Sequence, residues 1–397
     1  VAYTKINHTT RGDVELEQWQ WLSNEIRPFV GLELVLSSWD LVELKKGYYV
    51  YFDGDVIRKR ISSSPEAYQE EDVDIKVRER AFVLPKTNRG KEKKLNYTSV
   101  SSFKADGVTF SAGIKSHDGK GYVTAYNSRN SMNLPFSGYE HLSSKEEIVA
   151  WLAHFPTTIP TDYEQKLNRL KHMKNQGYHA VPGDIFRVEL DLFTYGYVLV
   201  IGNLRDMEKD NLFIEECIWK DVMTMPLFVR PYLWKTTERS PSLEDIVAAP
   251  LSDSTKIVMD DYFLRGRYEL IYHKELEEED IVFPVGYGPS LNYGKERMYR
   301  LSWGLGTVFK PEGETTFKPD WNFLNHGVSA GISPVSFAPP SERVNEKALT
   351  HPQYEREWKQ VLREFGFSDD ITYDEFSQET GALTRLQYLD YVKRKYK

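Results

Sequence analysis

The stretch VPGDIFRVELDLFTYGYVLVIG, Val181 to Gly202, constrains the fold more than any other part of the chain. Pro182-Gly183 is a type II turn signature, because the turn needs a positive φ that glycine takes without strain. After it, Phe186, Val188 and Leu190 alternate onto one strand face, with Ile185, Arg187 and Glu189 on the other. Tyr195, Tyr197, Leu199 and Ile201 repeat the period, and residues 191–194 have the length of a hairpin connection. Asp184 reads as a turn residue whose carboxylate bonds backbone two residues on; the rival reading is a catalytic carboxylate at a strand entry.

Other segments follow the same logic. Asp53-Gly54 sits between two apolar runs and predicts a hairpin, and RAFVLP, GVTFSAGI and GYVTAYN predict further short strands. SSSPEAYQEEDVD and PKTNRGKEKK are charged and rich in breakers, which predicts loops. Leu16, Trp19, Leu22 and Ile26 have helical spacing. Ser144 with Glu147, and Thr161 with Glu164, predict two capped helices, the first stopped by Pro156 and the second reaching Gly177. Strands resume in NLFIEECIWK, PLFVRPYLW, STKIVM, GRYELIYHKEL and RMYRLSWGLGTVF. PVGYGPSLNYG predicts a loop and HGVSAGISPVSFAPP a linker, and the tail is helical, with Thr372 and Glu375 as a cap pair. The fold class is therefore α+β: two antiparallel β-rich lobes with packed helices and a helical C-terminal tail. The expected division is an α+β lobe over 1–157, a β-rich domain over 158–335 and a helical extension over 336–397.

With 397 residues, 40% of them hydrophobic, the chain can bury a sizeable core. A net charge of −8 disfavours a generic phosphate-binding surface. The basic run Lys86, Arg89, Lys91, Lys93 and Lys94 reads as an exposed hairpin tip before it reads as a nucleic-acid contact. Cys217 is the single cysteine, so no disulfide framework or multi-cysteine zinc site exists, and a reducing, cytoplasmic setting is expected. Glu215 and Glu216 beside it disfavour a nucleophilic thiolate. No apolar run is long enough to span a membrane, and residues 1–13 carry no apolar leader region.

Chemistry is sparse. Phosphate loops, dinucleotide fingerprints and nucleophile elbows are absent, so no cofactor is expected. The nine histidines make no metal-type pair in sequence, so no metal site is expected either. Acidic clusters are the visible feature: Asp260 and Asp261; Glu275, Glu277, Glu278, Glu279 and Asp280; and Glu70, Glu71, Asp72 and Asp74. A charge run is usually a solvated face, and a strip of one sign quickens association with an oppositely charged partner.

The strand entry PGDIFRVEL, then YGYVLVIG, then MPLFVRPYLW and a later YRLSWGLGTV, resembles the immunity protein 26 family of bacterial polymorphic-toxin systems, over residues 181–309. The resemblance implies a non-enzymatic protein that stays in the producing cell and neutralises a cognate toxin by binding it. It implies no catalytic residues, and it makes Gly183-Asp184 a motif of the fold. Partner contacts are then expected at Asp260, Asp261, Tyr262, Tyr272, Glu275, Glu277, Glu278, Glu279 and Asp280, with the tyrosines as anchors. A basic toxin would suit the acidic strips. The alternatives are a metal-dependent hydrolase or nuclease-like enzyme with a carboxylate site, and a nucleic-acid-binding protein that uses the Lys86–Lys94 loop.

Overall fold

The computed structural model describes residues 21–174, 176–222, 224–290, 297–319, 327–343 and 348–396. The expected N-terminal helix falls mostly on residues outside this set. Its described end is a turn followed by the 3-10 helix Arg27–Val30, closed by Gly31 at φ +85°. The chain divides into two compact units, one comprising Val1–Asn175 with Asp191–Phe193, the other Gln176–Leu190 with Thr194–Lys397.

The first unit is built on one antiparallel sheet. Its strands are β1 (Asp40–Lys45), β2 (Tyr48–Asp53), β3 (Val56–Ser63), β4 (Ala67–Arg78), the two-residue β5 (Phe82–Val83) and β6 (Lys93–Lys94), then β7 (Val108–Ile114), β8 (Gly121–Asn127) and β9 (Met132–Leu134). The order is β1-β2-β3-β4-β7-β8-β9, with β5 and β6 branching from β4. Asp53 pairs with Val56 across the expected Asp-Gly turn. Helix α1 (Tyr97–Ser101) packs on one side through Val100, and α2 (Lys145–His154) and α3 (Tyr163–His172) pack on the other through Ile148, Leu152 and Leu170. Ser144 caps α2 as expected, and the Glu147 carboxylate reaches back to accept from the Ser143 amide at 2.7 Å. The expected Thr161 cap of α3 is corrected: the N-cap position is Asp162, whose side chain makes no capping bond, and the helix ends at His172, well short of Gly177.

The expected loop SSSPEAYQEEDVD is a correction, because from Ala67 it enters β4, the longest strand described. Its carboxylates are tolerated on a buried face because cations meet them there. Glu70 accepts from Arg27 Nε at 2.8 Å, and Lys59 Nζ lies 3.0 Å from Glu70 and 2.5 Å from Asp72. Lys59 and Glu70 are both 0% exposed. Burial pushes the Glu70 carboxyl up, but Lys59 and Arg27 outweigh it and hold it below the ordinary range. Leaving such a group unpaired would cost several kcal/mol, roughly 3–5.

The second unit contains two sheets. Strands β10 (Asp184–Glu189), β11 (Tyr195–Asn203), β12 (Leu227–Pro231), β13 (Lys256–Val258) and β14 (Glu269–His273) form an antiparallel sheet in the order β13-β12-β11-β10-β14. The short helices α4 (Leu204–Lys209), α5 (Leu243–Val247) and α6 (Asp261–Leu264) join them. Strands β15 (Val285–Ser290), β16 (Met298–Trp303) and β17 (Gly306–Pro311) form a three-stranded meander, followed by α7 (Glu355–Glu364), α8 (Tyr373–Thr380) and α9 (Arg385–Lys395). The 181–202 hairpin forms as expected, with Glu189 opposite Tyr195. Every residue of β11 is buried. Tyr195, Tyr197, Leu199 and Ile201 face one core with Tyr388 and Leu389 of α9, and Val198 and Val200 face another with Phe263. A sheet covered on both faces reads as an apolar run, as YGYVLVIG does.

Three further expectations are corrected. NLFIEECIWK is a turn ending in the 3-10 helix Ile218–Asp221, with Cys217 buried and Trp219 Nε1 donating to the Gly304 carbonyl at 2.7 Å. Val285–Ser290 of the expected loop is strand β15. The expected linker packs into the core, where the Phe337 ring lies so close to Gly196 that no Cβ fits between them. The capping box of Thr372 and Glu375 forms as read, and Thr384 with Gln387 makes another at α9.

Candidate functional site

The Pro182-Gly183 dipeptide makes the turn its chemistry dictates. Asp184 N donates to the Val181 carbonyl at 3.1 Å, and Gly183 has φ +100°. Gly183 is also wedged between strands, donating to the Val200 carbonyl at 2.9 Å and accepting from Lys274 N at 2.9 Å. The Asp184 carboxylate is 2% exposed and does not reach two residues on. It accepts from Val181 N three residues back at 2.9 Å, from Tyr178 Oη at 2.9 Å and from His273 Nδ1 at 2.9 Å. Burial and the Asp184 charge push the Tyr178 hydroxyl up to about 12, so it stays a donor.

The pairing of Asp184 with His273 follows from register, since the two lie opposite each other across β10 and β14. A carboxylate that accepts from its neighbours leaves Nδ1 of the imidazole as the donor, on a ring that is 51% exposed and packs its Cε1–Nε2 edge against Gly183. A second pair lies in the same unit. Asp206, at the start of α4 and 7% exposed, accepts from His179 Nε2 at 2.8 Å and from Tyr396 Oη at 2.5 Å. Burial raises the Asp206 carboxyl, yet the bonds from Tyr396 and His179 outweigh it and hold it below the ordinary range. Sequence spacing gave no sign of either pair.

His273 and Tyr396 share a pocket of about 240 Å³ whose walls include Pro182, Leu276, Val392 and Lys393. It joins the turn before β10, the end of β14 and the last turn of α9.

The expected contact residues are dispersed around this region. Asp260 lies 3.2 Å from Arg205, and Asp261 pairs with Arg265 one helical turn away at 2.7 Å. Tyr262 is half-buried beneath the Arg267 guanidinium, 3.9 Å from its ring centre. Tyr272 is half-buried and donates to the Pro241 carbonyl at 2.9 Å. Glu275 is 75% exposed and lies 3.4 Å from Lys393, and Glu278 lies 3.4 Å from Arg385. Glu277 and Glu279 are exposed. Asp280 is different: it is 5% exposed, pairs with Lys274 at 2.8 Å and accepts from Glu277 N at 2.9 Å. Its carboxylate closes the 278–280 turn and does not belong to an exposed rim.

Among the described residues, no group of three or more His, Cys, Asp or Glu side chains is placed to hold a metal ion. No described helix is long and apolar enough to cross a membrane. The basic loop carries a counter-charge, with Glu92 paired to Arg78 and 3.8 Å from Lys86, while Lys93 lies over the Phe103 ring.

Residues 181–297 match the model of a family described as Immunity protein 26, the family that the strand order resembled. The matched segment begins at the turn just described and takes in all five strands of the larger sheet of the second unit. No curated protein matches the chain, and no solved structure matches it.

Proposed function

We propose that this chain is an immunity protein, a non-enzymatic binder that neutralises a cognate bacterial toxin by covering its active surface. The family match over residues 181–297 carries this reading, because that segment is a complete β-sheet with its entry turn intact. The surface offers what such a binder needs: exposed carboxylates at Glu275, Glu277 and Glu279, and half-buried tyrosines at 262 and 272. Carboxylates on a chain of net charge −8 would speed encounter with a basic toxin, and the toxin-producing cytoplasm is the matching compartment. Neutralisation would act by occlusion, without turnover and without a cofactor.

The test is co-expression with the product of the adjacent gene. The two proteins should co-purify, and cells carrying the toxin should survive only when this chain is present. A neighbour that is harmless when expressed alone, or one that never co-purifies, removes the immunity reading.

A further inference from the structure

We propose that the β5–β6 corner of the first unit binds the phosphate backbone of nucleic acid. The corner lies outside residues 181–297, so this goes beyond the immunity reading and does not rest on it. Register, unspent charge and composition carry the inference.

Register builds the face. Lys76 and Arg78 lie two residues apart on β4 and so project to one side of the sheet. Arg78 stands opposite Phe82, and Phe82 opposite Lys94, across β4, β5 and β6. Residues directly opposite share a face, so Lys76, Arg78, Phe82 and Lys94 form one surface. Val77 and Val83 point to the other side, into the core. Beyond the strands, Thr87 N donates to the Lys91 carbonyl at 2.8 Å and closes a turn that carries Lys86, Arg89 and Lys91, all exposed.

The charge of this corner is unspent. Residues 76–94 hold eight basic side chains and two acidic ones. Glu92 serves Arg78 and Lys86, and Arg80 pairs with Asp40. Among the described residues, Lys76, Arg89, Lys91, Lys93 and Lys94 are paired with no carboxylate. Lys93 lies 5.7 Å from the centre of the Phe103 ring, and a ring face orients an ammonium while leaving its N–H donors free. The chain carries −8 overall, but exposed charges more than about 8 Å apart are largely screened at physiological salt. The corner therefore presents its own sign.

Composition chooses the partner. Lysine is depleted from protein–protein interfaces, whereas nucleic-acid interfaces are strongly positive. A protein partner would also need an apolar anchor, and none of the exposed large apolar side chains falls within residues 76–94. Phe82 is half-buried, and the Arg78 guanidinium already covers it at 5.0 Å from the ring centre. A phosphate backbone asks for no such anchor, because its repeated charge meets several unpaired cations at once.

The experiment titrates the full chain into labelled mixed-sequence oligonucleotides of about 20 nucleotides, single-stranded and duplex, followed by fluorescence anisotropy. At least one form should bind saturably, and the tighter form names the source of the backbone. For five phosphate contacts, affinity should fall with salt at a log–log slope of about −3 to −5. Combining Arg89→Gln, Lys91→Gln and Lys94→Gln should weaken binding about tenfold or more at low salt and flatten the slope by about 2–3. Thermal unfolding checks the fold of this variant. Should its midpoint drop, Lys91→Gln alone carries the test, with a slope flatter by about 1. A control combining Lys115→Gln, Lys120→Gln and Lys174→Gln removes the same charge from exposed positions elsewhere and should bind as wild type does. No binding at low salt, an equal loss in the control, or equal affinity for poly-glutamate overturns the proposal.

Discussion

Gly183 holds the entry to the larger sheet of the second unit in a geometry that one added carbon would break. A Cβ there would press on the Lys274 carbonyl and stand 2.7 Å from His273 Cε1, on a backbone already at φ +100°. Backbone cannot retreat as a side chain can, because Gly183 N and O are both bonded to neighbouring strands. Gly183→Ala should therefore destabilise the protein by roughly 2–4 kcal/mol, combining left-handed strain with a steric clash. The urea midpoint would fall, and an unchanged midpoint would mean that the turn relaxes freely. At this scale the sequence disclosed the turn and its glycine, since the dihedral requirement is local. It did not disclose the carboxylate's partners, because His273 is 89 residues away and meets Asp184 only after β14 has paired with β10.

Elements were legible where period and caps acted locally, and misread where distant charges paired. The hairpins at 53–56 and 189–195 and the cap at Thr372 form from residues a few positions apart. Strand β4 looks like a loop because Glu70 and Asp72 occupy a face that should be apolar; the cations that permit this, Arg27 and Lys59, lie elsewhere in the chain. Helix α7 uses the same device at its end. Glu364 is its last residue, where a negative charge opposes the helix dipole. Burial raises its carboxyl further, yet the Lys310 ammonium, the Thr316 hydroxyl and the amides of Thr316 and Phe317 together lower it to about 2. A depressed carboxylate stabilises the fold above its unfolded value near 4.5, and that contribution is lost as pH falls towards 2. At about 1.4 kcal/mol per unit, the effect is at most about 3 kcal/mol. Glu364→Gln should lower stability by about 2–3 kcal/mol at neutral pH, with the gap closing between pH 4.5 and 2. Urea titrations at both ends of that range read it out, and a gap that stays constant with pH would rule out the charged bonds as its source.

At the scale of the molecule, the question is which stretch of chain carries a complete core. The three clusters of the second unit draw their buried residues from 180 onward, and they extend past residue 335 through Phe337, Leu349, Val361, Phe376, Tyr388 and Val392. Tyr388 also donates to the Ile201 carbonyl at 2.7 Å, tying α9 to the central strand β11. Each fully buried aliphatic or aromatic side chain contributes about 1.5–3 kcal/mol, so removing six forfeits roughly 9–18 kcal/mol. A domain has only about 5–15 kcal/mol to lose. A fragment of residues 176–397 should thus be soluble and unfold in one cooperative transition and, under the proposed immunity role, should bind the co-purifying partner, since it contains the family-matched segment. A fragment of residues 176–335, cut within the segment whose glycine, proline and serine content predicted a linker, should be aggregated or molten, with no cooperative transition. Circular dichroism melts and a pull-down on the two fragments decide the matter. A cooperative 176–335 fragment would make the C-terminal helices an accessory layer that the fold does not require.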